Sequence, residues 1–155
     1  MIVVSDTTTI TTLLKAGEER FLKTLFGEVI VPQGVWDELL AFHSWLPGFI
    51  LLRPVAAASH RLAETRFLGH GESEAINLAR EINADLLLTD DRKARRLANS
   101  LGIQCTGLLG LVVRARQSGQ LHSAQDFIEA LEQRGGLYLS DAVKAEALRL
   151  AGEQP

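Results

Sequence analysis

Cysteine is almost missing from this chain: Cys105 stands alone among 155 residues. That excludes an internal disulfide and any cysteine-rich zinc site, and it fits a reducing compartment. Long apolar runs are missing too. No stretch reaches the about 18 consecutive apolar residues that a spanning helix needs. The opening residues, MIVVSDTTTITTLL, lack the basic start and extended apolar segment of a secretory leader. The expectation is a cytoplasmic protein without a membrane partner. Positive charge is not in excess either. The formal net charge is −3, so no global field draws the chain to nucleic acid, and such contact would need a local patch. His43, His60, His70 and His122 show no zinc-ligand spacing such as HExxH. Gly69-His70-Gly71 carries neither a Walker lysine nor a GxGxxG pattern, which gives little support to a nucleotide cofactor. Cys105 sits in an apolar run and reads as core.

What is present describes a globular chain. Hydrophobic residues make up 46% and charged residues 23%, a balance that argues against disorder. The length suits one domain, residues 1–155, with a sizeable core. Short β-rich runs at 2–4, 28–31, 49–55, 85–89 and 103–106 alternate with helical patterns. The helical patterns cover 8–16, 20–26, 34–41, 56–68, 72–82, 92–101, 108–117, 124–134 and 140–150. Such alternation predicts an α/β fold whose parallel sheet is covered on both faces. In that architecture ligands bind beyond the carboxyl ends of the strands.

Acids occupy those ends. Asp6 ends the first run, and Asp90 and Asp91 end the fourth, within LLLTDDRKARR. Glu72 and Glu74 lie in the first turn of a helix, its electropositive end. Each acid alone has an ordinary explanation, as a helix cap, a first-turn acid or, for Glu38, a solvated surface residue. Together they would repel unless a hard divalent cation neutralised them, and Mg²⁺ and Mn²⁺ favour all-oxygen ligands. Arg92, Lys93, Arg95 and Arg96 follow directly, as a solvated helix face or as a rim for phosphates.

Four motifs in order carry a resemblance: VVSDTTTI (3–10), VPQGVWDEL (31–39), GHGESEAINLA (69–79) and LLLTDDRKARR (86–96). The chain resembles the PIN-domain nucleases, in particular the compact prokaryotic branch of VapC-like toxins. GLLGLVVRARQSGQL (107–121) is similar to the segment that follows in that branch. The likeness is clearest over 2–121, with 122–155 read as C-terminal helices.

The resemblance implies a three-layer αβα fold with a central parallel sheet and an acidic pocket for one or two Mg²⁺ or Mn²⁺ ions. It implies metal-dependent endoribonuclease activity with Asp6, Glu38, Glu74 and Asp91 as catalytic acids. Asp6, Glu74 and Asp91 would hold the principal cation, with Asp90 and Glu72 beside them. Which member of the Asp90/Asp91 pair faces the pocket stays open, as does whether Glu72 shares the site with Glu74. Thr8 would steady a water or a phosphate oxygen, and Arg92, Lys93, Arg95 and Arg96 would grip flanking RNA phosphates. The same resemblance suggests a toxin restrained by a small antitoxin, and a homodimer with candidate contacts at Leu13–Leu14 and Leu22–Leu25. The alternative is a catalytically silent PIN-like module that binds RNA or protein. A covalent phosphatase is disfavoured, because Asp6 is followed by Thr-Thr-Thr and the second acid of a DxDx(T/V) motif is missing.

Overall fold

The computed structural model describes residues 1–56 and 62–154. Five short strands, β1 (Val3–Ser5), β2 (Val29–Val31), β3 (Ile50–Leu52), β4 (Leu86–Leu88) and β5 (Cys105–Thr106), form one sheet. Their order is β3-β2-β1-β4-β5, and every pairing is parallel. Among the described residues, eight α-helices connect and cover it: α1 (Thr7–Ala16), α2 (Arg20–Phe26), α3 (Gln33–Phe42), α4 (His70–Glu81), α5 (Arg92–Ser100), α6 (Leu108–Gln117), α7 (Ala124–Gln133) and α8 (Asp141–Leu150). This is the three-layer αβα arrangement that the resemblance implies, with the parallel sheet covered on both faces as the alternation predicts.

The period-2 geometry of a strand sends neighbouring side chains to opposite faces. Val3, Leu86 and Leu88 therefore enter one apolar cluster, shared with Leu13, Leu22, Leu39, Leu108, Ile128 and Leu131. Val4 and Leu87 enter the other, with Ile76, Leu78, Ala94 and Ala98 from α4 and α5. Both faces of β1 and β4 are thus buried, which is why their sequences are continuously apolar. Leu13 and Leu22 are fully buried in the first cluster. The monomer core therefore already uses two of the leucines considered for a dimer interface.

Two element boundaries differ from expectation. Helix α4 begins at His70 rather than Glu72, because Gly69 is extended at its N-cap and leaves His70 and Gly71 helical. The helical pattern over 56–68 falls largely outside the described residues; its described end is a 3₁₀ turn, Ala63–Phe67. Cys105 is half-buried at the margin of the second cluster rather than deep within it. Among the described residues, no helix is long and apolar enough to cross a membrane.

Candidate active site

Strands β1 and β4 lie side by side with Ser5 opposite Leu88. The residues that follow each strand therefore emerge together at the carboxyl edge of the sheet. Asp6 continues the pairing, its amide donating to the Leu88 carbonyl at 3.0 Å. Its side chain then caps α1, accepting from the Thr9 amide at 3.2 Å. The residue is only 2% exposed. Burial pushes its carboxyl up to about 6, against the opposing pull of the Thr89 hydroxyl and the Thr9 amide, and the negative charges of Asp90 and Glu72 push in the same direction as burial. Three carboxylates from three separate segments therefore share one electrostatic neighbourhood.

Thr89 decides how the Asp90/Asp91 pair divides. Its hydroxyl oxygen accepts from the Asp91 amide at 3.2 Å while also bonding Asp6. Asp91 then becomes the N-cap of α5, its Oδ1 accepting from the Ala94 amide at 2.8 Å, and it stays exposed. Asp90 takes the other direction. Much of the residue faces solvent, but its carboxylate folds back over Gly107 and accepts from the Leu108 amide at 3.3 and 3.4 Å. Burial raises its carboxyl above the ordinary value, while the Leu108 amide and the Arg95 guanidinium oppose the rise. Asp90 is thus the member of the pair that acts on Asp6, and Asp91 is engaged at the helix start.

The two helix-borne pairs are similarly divided. Glu38, on α3, is half-buried and accepts from the Thr7 hydroxyl at 2.5 Å, which ties it to the residue after Asp6. Glu72 sits in the first turn of α4, half-buried against Gly69. Glu74 is buried and turned toward α3. Its Oε1 accepts from the Gly34 amide at 2.6 Å and lies 3.3 Å from His70 Nε2. The structure places Asp90 and Glu72 within electrostatic reach of Asp6, and ties Glu38 to the residue after Asp6 through Thr7.

Glycines were the signal missed in sequence. A side chain built on Gly34 would meet Glu74, on Gly69 would meet Glu72, on Gly71 would meet Glu38, and on Gly107 would meet Asp90. Four acids of the constellation each lie where a glycine leaves room. Thr89 was also missed as a participant, although the motif that contains it was recognised.

Thr8 is exposed in the first turn of α1, beside the carboxylates in sequence. Arg92, Lys93, Arg95 and Arg96 are exposed on α5 and form no ion pair among the described residues. Arg116, by contrast, is engaged with Glu153 at 2.9 Å.

The donor set is all oxygen, which suits a hard divalent cation. Asp90 and Glu72 raise the electrostatic cost of ionising Asp6, and positive charge beside it would relieve that cost. Among the described residues, no three His, Cys, Asp or Glu side chains already converge as a metal cluster. The all-oxygen chemistry of the residues still fits a hard cation.

A family model described as DUF3368, a PIN domain, matches residues 2–153, so the likeness runs through the C-terminal helices. No curated protein matches the chain. Among solved structures, the fold is similar to a PilT N-terminus domain protein from the hyperthermophilic archaeon Sulfolobus solfataricus. The two share 20% identity over 72% of this chain and 90% of that one, with a TM-score of 0.50. PIN domains are typically nucleases and generally use divalent metal ions. With almost its whole length matched to the family model and the sheet order in place, the chain belongs to the PIN-domain family.

Proposed function

We propose that this protein is a metal-dependent endoribonuclease whose centre is built on Asp6, Glu72 and Asp90. The observation that supports it is the almost wholly buried Asp6 at the carboxyl edge of β1 and β4, within electrostatic reach of Asp90 and Glu72. An isolated helix cap needs neither that burial nor neighbouring like charge.

Asp6, Glu72 and Asp90 would hold Mg²⁺ or Mn²⁺. Such an ion, when bound, lowers the pKa of a water and neutralises charge on a phosphoryl group. The chain's own groups do the rest. Thr89 and the Thr9 amide fix the Asp6 carboxylate, and the Leu108 amide and Arg95 fix Asp90. Glu38 orients the Thr7 hydroxyl toward itself and lies against the first turn of α4. Glu74 holds the start of α3 to α4, so its role is positioning; Asp91 stabilises the start of α5. The exposed cations of α5 would bind RNA phosphates next to the scissile bond. A toxin role with a small antitoxin over the acidic groove, and a homodimer, extend this reading.

The test is cleavage of a mixed single-stranded RNA pool in Mg²⁺, Mn²⁺ or EDTA, by wild type and Asp6→Asn. Metal-dependent cutting that disappears in the variant is expected. A folded wild type that binds RNA but cuts nothing with either ion would instead make it a binding module.

A further inference from the structure

A second groove, of about 350 Å³, runs beside this site along α1. Thr7, Thr8, Thr11 and Thr12 line it, with Lys15, Phe42 and the backbone of Gly135 and Gly136. Thr7 belongs to both places, because its hydroxyl donates to Glu38 in the acidic site. Thr7, Thr8, Thr11 and Thr12 occur at helical spacing, so they form one polar stripe on the helix. From Thr7 to Lys15 that stripe covers about 12 Å of helix axis.

Three features mark the groove as a binding surface. The Phe42 ring is 77% exposed at the end of α3, an arrangement that leaves a large apolar face in water without a packing role. Lys15 is exposed and makes no ion pair among the described residues. The glycine wall is bare backbone. A Cβ on Gly135 would lie 2.7 Å from the Leu131 carbonyl oxygen and 2.8 Å from that of Thr12, while Gly136 has a φ of +74° and open space beyond it.

A ring face and a cation are what a single-stranded polynucleotide uses: a base stacks on the ring and the backbone follows the positive charge. We propose that this groove carries the single strand of RNA on one side of the cleavage point, with Phe42 stacking a base and Lys15 binding a phosphate. The inference rests on the nuclease reading for its direction, since the groove leads away from the carboxylates. Lys15 gives the groove a positive charge that complements a polyanion, and the exposed Phe42 ring offers a base a stacking face, so RNA is the occupant the chemistry favours.

The experiment uses the full chain as Asp6→Asn in EDTA, where binding is measured without cutting. Anisotropy of a fluorescein-labelled single-stranded RNA is compared with and without Phe42→Ala, Phe42→Trp and Lys15→Gln. Phe42→Ala is expected to weaken binding about tenfold and Phe42→Trp to preserve it. Lys15→Gln is expected to weaken binding and flatten its salt dependence. Double-stranded RNA, whose bases are not free to stack, should not distinguish Phe42 from Ala. Circular dichroism checks that each variant folds. Equal curves for all variants, or no binding of single strands at all, overturn the groove. Parallel cleavage by chains with Asp6 intact separates the two readings. Cutting that ignores Phe42 overturns the groove and keeps the nuclease, whereas Phe42-dependent binding without any cutting keeps the groove and overturns the nuclease.

Discussion

Asp6 is ionised at neutral pH only at a cost, and that cost predicts an unusual mutant. Its carboxyl stands at about 6 in the folded chain against 3.8 as the ordinary value. The folded state therefore binds the proton more tightly than the unfolded state does. Wild-type stability falls as pH rises through the interval between those values, and the full penalty applies above it. At most it amounts to about 3 kcal/mol. Asparagine keeps a capping oxygen for the Thr9 amide but carries no charge. Asp6→Asn should thus be more stable than wild type at pH 7 without metal, with the gain shrinking below pH 6 and gone near pH 4. Urea midpoints across this range check it; equal midpoints at pH 7 would mean that Asp6 is better solvated than its burial indicates. Adding Mg²⁺ should raise the wild-type midpoint and leave the variant's nearly unchanged, because only a bound ion stabilises. The neighbouring pair gives a second residue-scale prediction. Asp90→Asn should lower cleavage by at least about a hundredfold, the scale of losing a preorganised charge at a reacting phosphate. Asp91→Ala should instead cost about 0.5–2 kcal/mol of stability, as a missing cap, with much the smaller effect on cleavage of a folded protein. Single-turnover rates and urea melts of both variants decide the assignment; the reverse ranking would put Asp91 in the site.

Elements carry the site because their ends are fastened, and the C-terminal helices show this plainly. Glu153, just beyond α8, accepts from the Ala124 amide at 2.7 Å, the Gln125 amide at 3.1 Å and Arg116 Nε at 2.9 Å. One carboxylate thus joins α8 to the start of α7 and to α6. Desolvation pushes its carboxyl up, but the two amides and the guanidinium outweigh this and hold it below the ordinary value. The stability it contributes is complete above 4.5 and is lost as pH falls through the lower folded value. Glu153→Gln should cost about 1–3 kcal/mol at pH 7, and the difference from wild type should narrow under acid. Thermal unfolding at pH 7 and pH 3 measures it; a gap that does not change with pH would show that charge is not what matters there. Such a link is illegible in sequence, since nothing in a helical pattern says which amides a distant glutamate will meet. The layers were legible, because Val3 and Val4 or Leu87 and Leu88 must face opposite ways in a strand. Asp6 and the TDD turn were legible as strand-end acids. The choice between Asp90 and Asp91 was not, because it depends on one hydroxyl, that of Thr89, bonding Asp6 and the Asp91 amide at once. Glu38 entered through family likeness alone, and its tie to Thr7 became visible only when α1 and α3 were packed together.

At the scale of the whole molecule the charge pattern is at odds with the net charge. The chain is acidic overall, at −3, yet Arg92, Lys93 and Arg96 stand unpaired among the described residues on α5, and Arg95 beside them acts on Asp90. A polyanion approaching the acidic edge meets repulsion from Asp6, Glu72 and Asp90, and the cations of α5 offset it. Association should therefore be local and strongly screened, since the Debye length is about 8 Å at physiological salt. Arg95 is best left intact in a test, because it also acts on Asp90. Replacing Arg92, Lys93 and Arg96 with glutamine removes rim charge without touching the carboxylates' partners. Single-stranded RNA binding by this triple variant should weaken at low salt. The slope of log affinity against log salt should flatten by about 0.7 for each phosphate that the rim no longer neutralises. The rate of cutting at saturating RNA should change little, since the proposed phosphate contacts would favour substrate and transition state alike. A triple variant with the wild-type salt slope would move the phosphate path away from α5. A triple variant with normal binding but a large drop in saturating rate would instead make α5 part of the catalytic apparatus, acting on the scissile phosphate rather than on its neighbours.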